Sequence, residues 1–296
     1  MPASAFHRTH LFTDSQGISV FDCRCRLHRH EKQGPEEAVD RASVVFVRRG
    51  VFQRSWRGDP LIADANQVLF FNPGEGYRYA HPVEGGDDCT VFELPAHVLE
   101  RLIGHDRTTP KHPDRLFRRG HALASSRAVR LHYEALEWIR RPTVALMQED
   151  ALADWLGEVI AGAHAKCALS HEENLPARRR RELAEATKLA ISQRLDRPPT
   201  LSELAAAFEC SPFHLSRLFR QTVGITLRAY LGRLRTRAGA ERLAFNPTTG
   251  LSRLAFELGY SDHSHFTNAF RQEFGLPPSR FAARSAAQEV PSRSSS

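Results

Sequence analysis

The side chains best suited to binding a polyanion fall in two stretches that lie about fifty residues apart. Phe213, Ser216, Arg217 and Arg220 occupy one face of the first, and His263, Ser264, His265, Thr267, Asn268 and Arg271 are the polar positions of the second. Arg, Asn, Ser and His hydrogen-bond to base edges and phosphate oxygens, and an α-helix is the element that fits the DNA major groove. Any one of these residues could be ordinary helix surface. Two such sets at matching positions point to nucleic-acid recognition.

Two further groups could do other chemistry. Cys23-x-Cys25-x-x-His28-x-His30 offers thiolates and imidazoles of the kind that hold zinc or another soft ion, with Cys89 and His81 as possible completing ligands. Strand alternation works against a single site: Cys23 and Cys25 share one face with Phe21 and Leu27, while His28 and His30 share the other with Arg24 and Arg26. Packed thiols are the simpler reading, a metal- or redox-responsive site the alternative, and no cofactor is expected. After Asn72-Pro73-Gly74, the residues Glu75, Tyr77, Arg78, Tyr79 and His81 could line the mouth of a ligand cavity or merely decorate a β-turn.

The elements that must position the first two stretches are legible as a repeat. Leu204-Ala205 and Ser211 recur as Leu254-Ala255 and Ser261; then, one residue later in register, Leu215, Phe219-Arg220-Gln221, Gly224 and Tyr230 recur as Phe266, Phe270-Arg271-Gln272, Gly275 and Phe281. Each copy predicts a short helix, a tight turn and a second helix ending at Gly, the outline of a helix-turn-helix. Thr200 with Glu203 predicts a capping box, and Ser211-Pro212 predicts a second N-terminus. Leu215, Leu218 and Phe219 form the inward face of one copy; Phe266, Ala269 and Phe270 form that of the other. Between them, Leu227 to Phe245 predicts one long helix, with Tyr230, Leu231, Leu234, Ala238 and Leu243 on its packed side and Arg228, Arg233, Arg235, Arg237 and Arg242 elsewhere.

Charge follows the same division. The chain of 296 residues carries a formal net charge of +7, and between Arg178 and Arg284 there are 18 Lys and Arg against 9 Asp and Glu. The excess belongs to the repeated segment, as a phosphate-contacting domain requires. The four arginines Arg178 to Arg181 open a further helix, either as a solvated start or as a phosphate patch.

Earlier in the chain, Ile18–Leu27, Ser43–Val47, Val51–Trp56, Val68–Phe71 and Cys89–Leu94 read as short strands between Gly and Pro breaks, predicting an antiparallel barrel or sandwich. Segments 122–140 and 144–169 read as an antiparallel helical pair separated by Pro142. Five cysteines in a chain of this length, without an export signal near Met1, give no disulfide framework, and no apolar run is long enough to span a membrane. A cytoplasmic protein is expected.

The run from Leu201 to Tyr230, containing SPFHLSRLFRQTVG, and the run LAFELGYSDHSHFTNAFRQEFGLPPSRF from Leu254 to Phe281 resemble the DNA-binding domain of the AraC family of bacterial transcription regulators. The resemblance covers about 100 residues and both helix-turn-helix units. It implies recognition helices at Pro212–Thr222 and Asp262–Glu273, with base-facing positions at Phe213, Ser216 and Arg217 and at His263, Ser264, His265 and Asn268. Asn268 stands where many members have Arg. Glu209 stands where the first turn often has Gly, which predicts an altered turn.

The resemblance further implies an α+β two-domain chain with a cupin-like antiparallel β-barrel and a helical pair in front of an all-α reader. The expected division is a sensor domain at 1–105, a helical dimerisation segment at 106–170, a linker at 171–177, the DNA-binding domain at 178–285 and a disordered tail at 286–296. The expected function is sequence-specific transcription regulation under a small-molecule effector. Double-stranded DNA, RNA polymerase and a second copy of the chain would be its partners. The two recognition helices would enter successive major grooves about 34 Å apart. Rival readings are an enzyme, either a cupin-type metal enzyme or a DNA-repair methyl acceptor using Cys23 or Cys25, and a purely architectural DNA-binding protein.

Overall fold

Alternation along single strands determines how the front half is layered. The computed structural model describes residues 6–26, 33–56, 59–103, 116–140, 149–165 and 175–286. Its strands are β1 (Phe6–Thr13), β2 (Ser19–Cys25), β3 (Ala42–Gly50), β4 (Phe52–Trp56), β5 (Asp59–Ala63), β6 (Gln67–Phe71), β7 (Tyr77–Ala80), β8 (Asp87–Leu94) and β9 (His121–Leu123). They form a six-stranded sheet, β1-β2-β8-β3-β6-β9, and a three-stranded sheet, β5-β4-β7, with all strand pairings antiparallel. Val45, Val47, Leu69, Phe71, Cys23 and Cys89 point from the large sheet into a core shared with Leu61 and Ala63 of the small one. The intervening Val44, Phe46, Val68, Phe70 and Phe92 point to the opposite side, where helices cover them. Both faces of the central strands of the large sheet are buried, which is why they read as continuous apolar runs.

The covering helices are α1 (Ala96–Ile103), α2 (Ser126–Ile139) and α3 (Glu149–Ala165). Ser125 caps α2 by accepting a hydrogen bond from the backbone N–H of Ala128. Its His132 is fully buried, bonded to Thr90 Oγ1 at 2.9 Å and stacked on Phe46 at 4.7 Å. The second half contains α4 (Leu175–Ser192), α5 (Leu201–Ala207), α6 (Pro212–Val223), α7 (Leu227–Phe245), α8 (Leu251–Glu257), α9 (His263–Phe274) and α10 (Pro278–Ala286). An α+β chain with antiparallel sheets in front and an all-α second half is thus present.

The structure departs from the sequence expectation in several elements. Strands β1, β5, β7 and β9 were not anticipated: β1 is largely exposed and polar, β5 contains Pro60, and β7 and β9 have four and three residues. The helix α4 begins at Leu175, inside the stretch expected to be a linker. Pro176 is compatible with a helix start because the first-turn N–H groups have no intrahelical partner. His28, His30, Pro142, residues 171–174 and residues 287–296 lie outside the described residues.

Candidate nucleic-acid interface

Local sequence sets both candidate recognition helices. At the entry to α5, Thr200 Oγ1 accepts from the Glu203 N–H at 3.2 Å, while Glu203 accepts from the Thr200 N–H at 2.7 Å, closing the capping box. Ser211 accepts from the His214 N–H and caps α6, with Pro212 in the first turn. In the second copy the inserted residue is Asp262, and it takes over the cap by accepting from the His265 N–H at 2.7 Å. The register step in the repeat is therefore a displaced N-cap. Both helices end at a left-handed Gly: Gly224 has φ 91° and Gly275 has φ 76°.

Leu215, Leu218 and Phe219 are buried under α6, and Phe266 and Phe270 under α9. This leaves Phe213, Arg217 and Arg220 exposed and Ser216 half-buried on the first helix; His263, Ser264, His265, Asn268 and Arg271 are exposed on the second. Phe213 is 76% exposed, an unusual position for a large apolar ring unless a thymine methyl or a similar apolar group meets it. His265 packs edge-on against Tyr260 at 5.2 Å. Thr267 is an exception among the expected outward residues, since its hydroxyl is buried beneath the helix. Phe256 on α8, 77% exposed, was not singled out by the sequence reading, although no apolar stripe on α8 calls for it to be inside.

The turns of the two units are alike. Glu209 has φ 53° at the position equivalent to Gly259, which has φ 76°. The altered turn expected from Glu209 is absent: the glutamate adopts the left-handed backbone that glycine takes in the other copy.

The helix α7 holds the two units in relation to each other, and its packed stripe contains charge. Arg237, expected away from the packed side, is 1% exposed. Its guanidinium donates to Glu273 of α9 at 2.8 and 2.5 Å, and to the carbonyls of Ala65 and Ala124 at 3.0 and 3.1 Å. Spacing contained the signal, because Tyr230, Leu234, Arg237 and Glu241 follow helical i, i+4, i+7, i+11 periodicity. Around this stripe the front domain docks. Tyr230 donates its hydroxyl to Asp64 at 2.6 Å, Asn66 donates to the Tyr230 carbonyl at 3.0 Å, and Tyr133 donates to Glu241 at 3.0 Å. Lys188 of α4 donates to the Ile62 carbonyl at 3.3 Å. Burial raises the Asp64 carboxyl above its ordinary range, against the opposing pull of Lys188 and Tyr230.

Among the expected ligand-mouth residues, the Tyr77 and Tyr79 hydroxyls both donate to Glu37. Glu75, Tyr77 and Arg78 border an open groove with Gln33 and Glu36, whereas Tyr79 leans edge-on against a buried His81. A larger groove of about 590 Å³ opens between the β domain and the ends of α7 and α8, lined by Arg24, Arg26, Arg49, Arg242, Arg253 and Phe245. Cys23 and Cys89 face each other across β2 and β8. Burial pushes the Cys23 thiol up to about 12 and the Cys89 thiol well above its usual value, which makes them packed thiols, inert at neutral pH.

Two exposed polar helices carried by one scaffold helix, behind a two-sheet β domain, define a bipartite helix-turn-helix protein. Residues 204–284 match a family described as "Helix-turn-helix domain". Among curated proteins, the chain is 27% identical over 135 residues to the HTH-type transcriptional activator RhaR of Salmonella schwarzengrund, covering 45% of this chain and 48% of that protein's own length. It is 23% identical over 253 residues to the HTH-type transcriptional activator RhaS of Escherichia fergusonii, covering 82% and 86%. Among solved structures, ToxT from Vibrio cholerae aligns over 95% of this chain and 98% of its own at 9% identity, with a TM-score of 0.36. An AraC-type regulator from Chromobacterium violaceum aligns over 38% of this chain and 97% of its own at 24% identity, with a TM-score of 0.33. Over residues 204–284 the chain carries the helix-turn-helix domain of that family, and it is similar to the transcriptional activators RhaR and RhaS. Among the described residues no helix is long and apolar enough to cross a membrane.

Proposed function

We propose that this protein is a sequence-specific, DNA-binding transcription regulator in which α6 and α9 each enter a major groove and the β domain responds to a small molecule. The observation that carries this reading is the pair of capped helices whose exposed faces bear Phe213, Arg217 and Arg220 on one and His263, Ser264, Asn268 and Arg271 on the other. Different side chains on one scaffold give each protomer an asymmetric half-site. Arginine contacts to phosphate supply salt-dependent affinity, and the exposed recognition residues supply base preference.

The groove between the β domain and α7–α8 is where an anionic effector would bridge both halves, since five arginines line it against three carboxylates, Asp88, Glu241 and Glu257. The outward faces of α2 and α3 would serve a second copy, and RNA polymerase would be engaged from the DNA-bound state. Cytoplasmic location and a non-enzymatic role follow from this reading. Its test is footprinting of the full chain on genomic fragments, followed by a titration across salt concentrations. Protection of two adjacent major-groove segments on one DNA face, weakening with salt, supports it; binding that ignores sequence supports the architectural alternative.

A further inference from the structure

One end of the β domain brings a thiol, an imidazole and a carboxylate together out of solvent. Cys25, His81 and Asp87 are all buried, and one ligand-type atom from each lies within 4.8 Å of the other two. Cys25 and Asp87 are directly opposite in the β2–β8 register, while His81 follows β7 of the small sheet. His81 Nε2 lies 2.8 Å from Asp87 Oδ1. The turn that delivers Asp87 is fixed by Gly86, with φ 64°: a Cβ there would lie 1.9 Å from the Cys25 carbonyl oxygen. Only glycine lets the β7–β8 turn close against β2 and set the carboxylate beside the thiol.

We propose that Cys25, His81 and Asp87 form a three-residue site for a zinc-class divalent ion, whose fourth position is left to water or to an exogenous donor. One sulfur, one nitrogen and one oxygen suit a borderline-soft ion, and three protein ligands with an open fourth place is a common zinc arrangement. Tetrahedral coordination at the usual bond lengths sets ligand atoms about 3.3 to 3.7 Å apart, so on binding His81 and Asp87 would separate by about half an ångström from 2.8 Å and the widest spacing, within 4.8 Å, would close by up to about an ångström. Binding would release the Cys25 thiol proton and the proton held between His81 and Asp87. The thiolate and the carboxylate then cancel the ion's double charge, so no net charge is buried. Since Cys25 and Asp87 belong to the large sheet and His81 to the small one, the ion would join the two sheets at this end. The site differs from the sequence-derived set: Cys23 is directed to the apolar core beside Cys89 and serves here as a control. The proposal is independent of the DNA-binding reading.

The experiment uses the untagged full chain, stripped with chelator and titrated with Co²⁺, then with Zn²⁺. The expected result is one Co²⁺ per chain with a thiolate-to-cobalt charge-transfer band, displaced by one equivalent of Zn²⁺. Cys25→Ser should abolish the band, and His81→Gln and Asp87→Asn should each weaken binding at least tenfold, while Cys23→Ala should retain it. Thermal melts of the metal-free variants check folding, and the wild-type stoichiometry needs no variant. Absence of a stoichiometric ion in the wild type, a band that survives Cys25→Ser in a folded protein, or a band lost in folded Cys23→Ala would overturn the proposal.

Discussion

Arg217 is exposed on α6 and has no ion-pair partner among the described residues, so its guanidinium is free to form the fork that reads guanine or grips phosphate. Arg220 lies one turn further on and is exposed as well, in the last turn of the helix before the left-handed C-cap at Gly224. Different outcomes are expected from removing them. Arg217→Ala should weaken binding to the cognate site by about 1–3 kcal/mol, with a smaller loss on mismatched DNA. Arg220→Ala should weaken binding to all sequences similarly and lower the salt slope by about one. Anisotropy titrations at several salt concentrations separate the two, and unchanged affinity and preference for Arg217→Ala would remove it from the reading face. Both side chains project from the packed core, so unfolding midpoints should stay at the wild-type value.

At the scale of elements, the two turns offer a direct comparison between glutamate and glycine in one backbone conformation. A non-glycine residue in the left-handed region costs about 1–2 kcal/mol, part of which glycine returns through a freer unfolded chain. Glu209→Gly should therefore stabilise the protein by about 0.5–1 kcal/mol in a denaturant titration. Gly239 on α7 works in the opposite sense: a Cβ there would stand 3.1 Å from both Leu258 and Phe266, the residues that seat the second unit. Gly239→Val should cost about 1–3 kcal/mol by overpacking and shorten the footprint on the α9 side more than on the α6 side. These helices and caps were legible in the sequence because the repeat states them twice. The β1 and β7 strands were not, since Phe6–Thr13 is exposed and Tyr77–Ala80 is a four-residue polar-aromatic run without clear alternation. Of the candidate sites, the outward faces of α6 and α9 could be read from helical spacing. Of the Cys25–His81–Asp87 group, Cys25 and His81 were among the candidate ligands read from the sequence, but Asp87 was not, because it meets them through sheet register and a glycine turn.

Across the whole molecule, the most informative residue is one whose charge pattern-reading assigns to solvent. Arg237 satisfies Glu273 within the DNA-binding half and the Ala65 and Ala124 carbonyls of the front half, and Ser126 donates to the other oxygen of Glu273 at 2.6 Å. The repeat makes the same connection from another direction: its equivalent aromatics Tyr230 and Phe281 both reach the front domain, one bonded to Asp64 and the other packed on Tyr133 at 5.5 Å. The scaffold that spaces the two reading heads is thereby also the docking face, so a change in the β domain has a physical route to their separation. Removing one partner of a buried ion pair costs about 3–5 kcal/mol because the other charge is stranded, whereas replacing both by apolar residues is often close to neutral. Arg237→Met should accordingly lower stability by about that amount, and adding Glu273→Met should recover most of it. The double variant still leaves two carbonyls and the Ser126 hydroxyl without their partners. Thermal unfolding should thus approach the wild-type value in the double variant while hydrogen exchange at residues 64–66 and 124–126 stays fast. Recovery of both together would mean that Arg237 serves the helical half alone and that docking rests on Tyr230, Asn66 and Lys188.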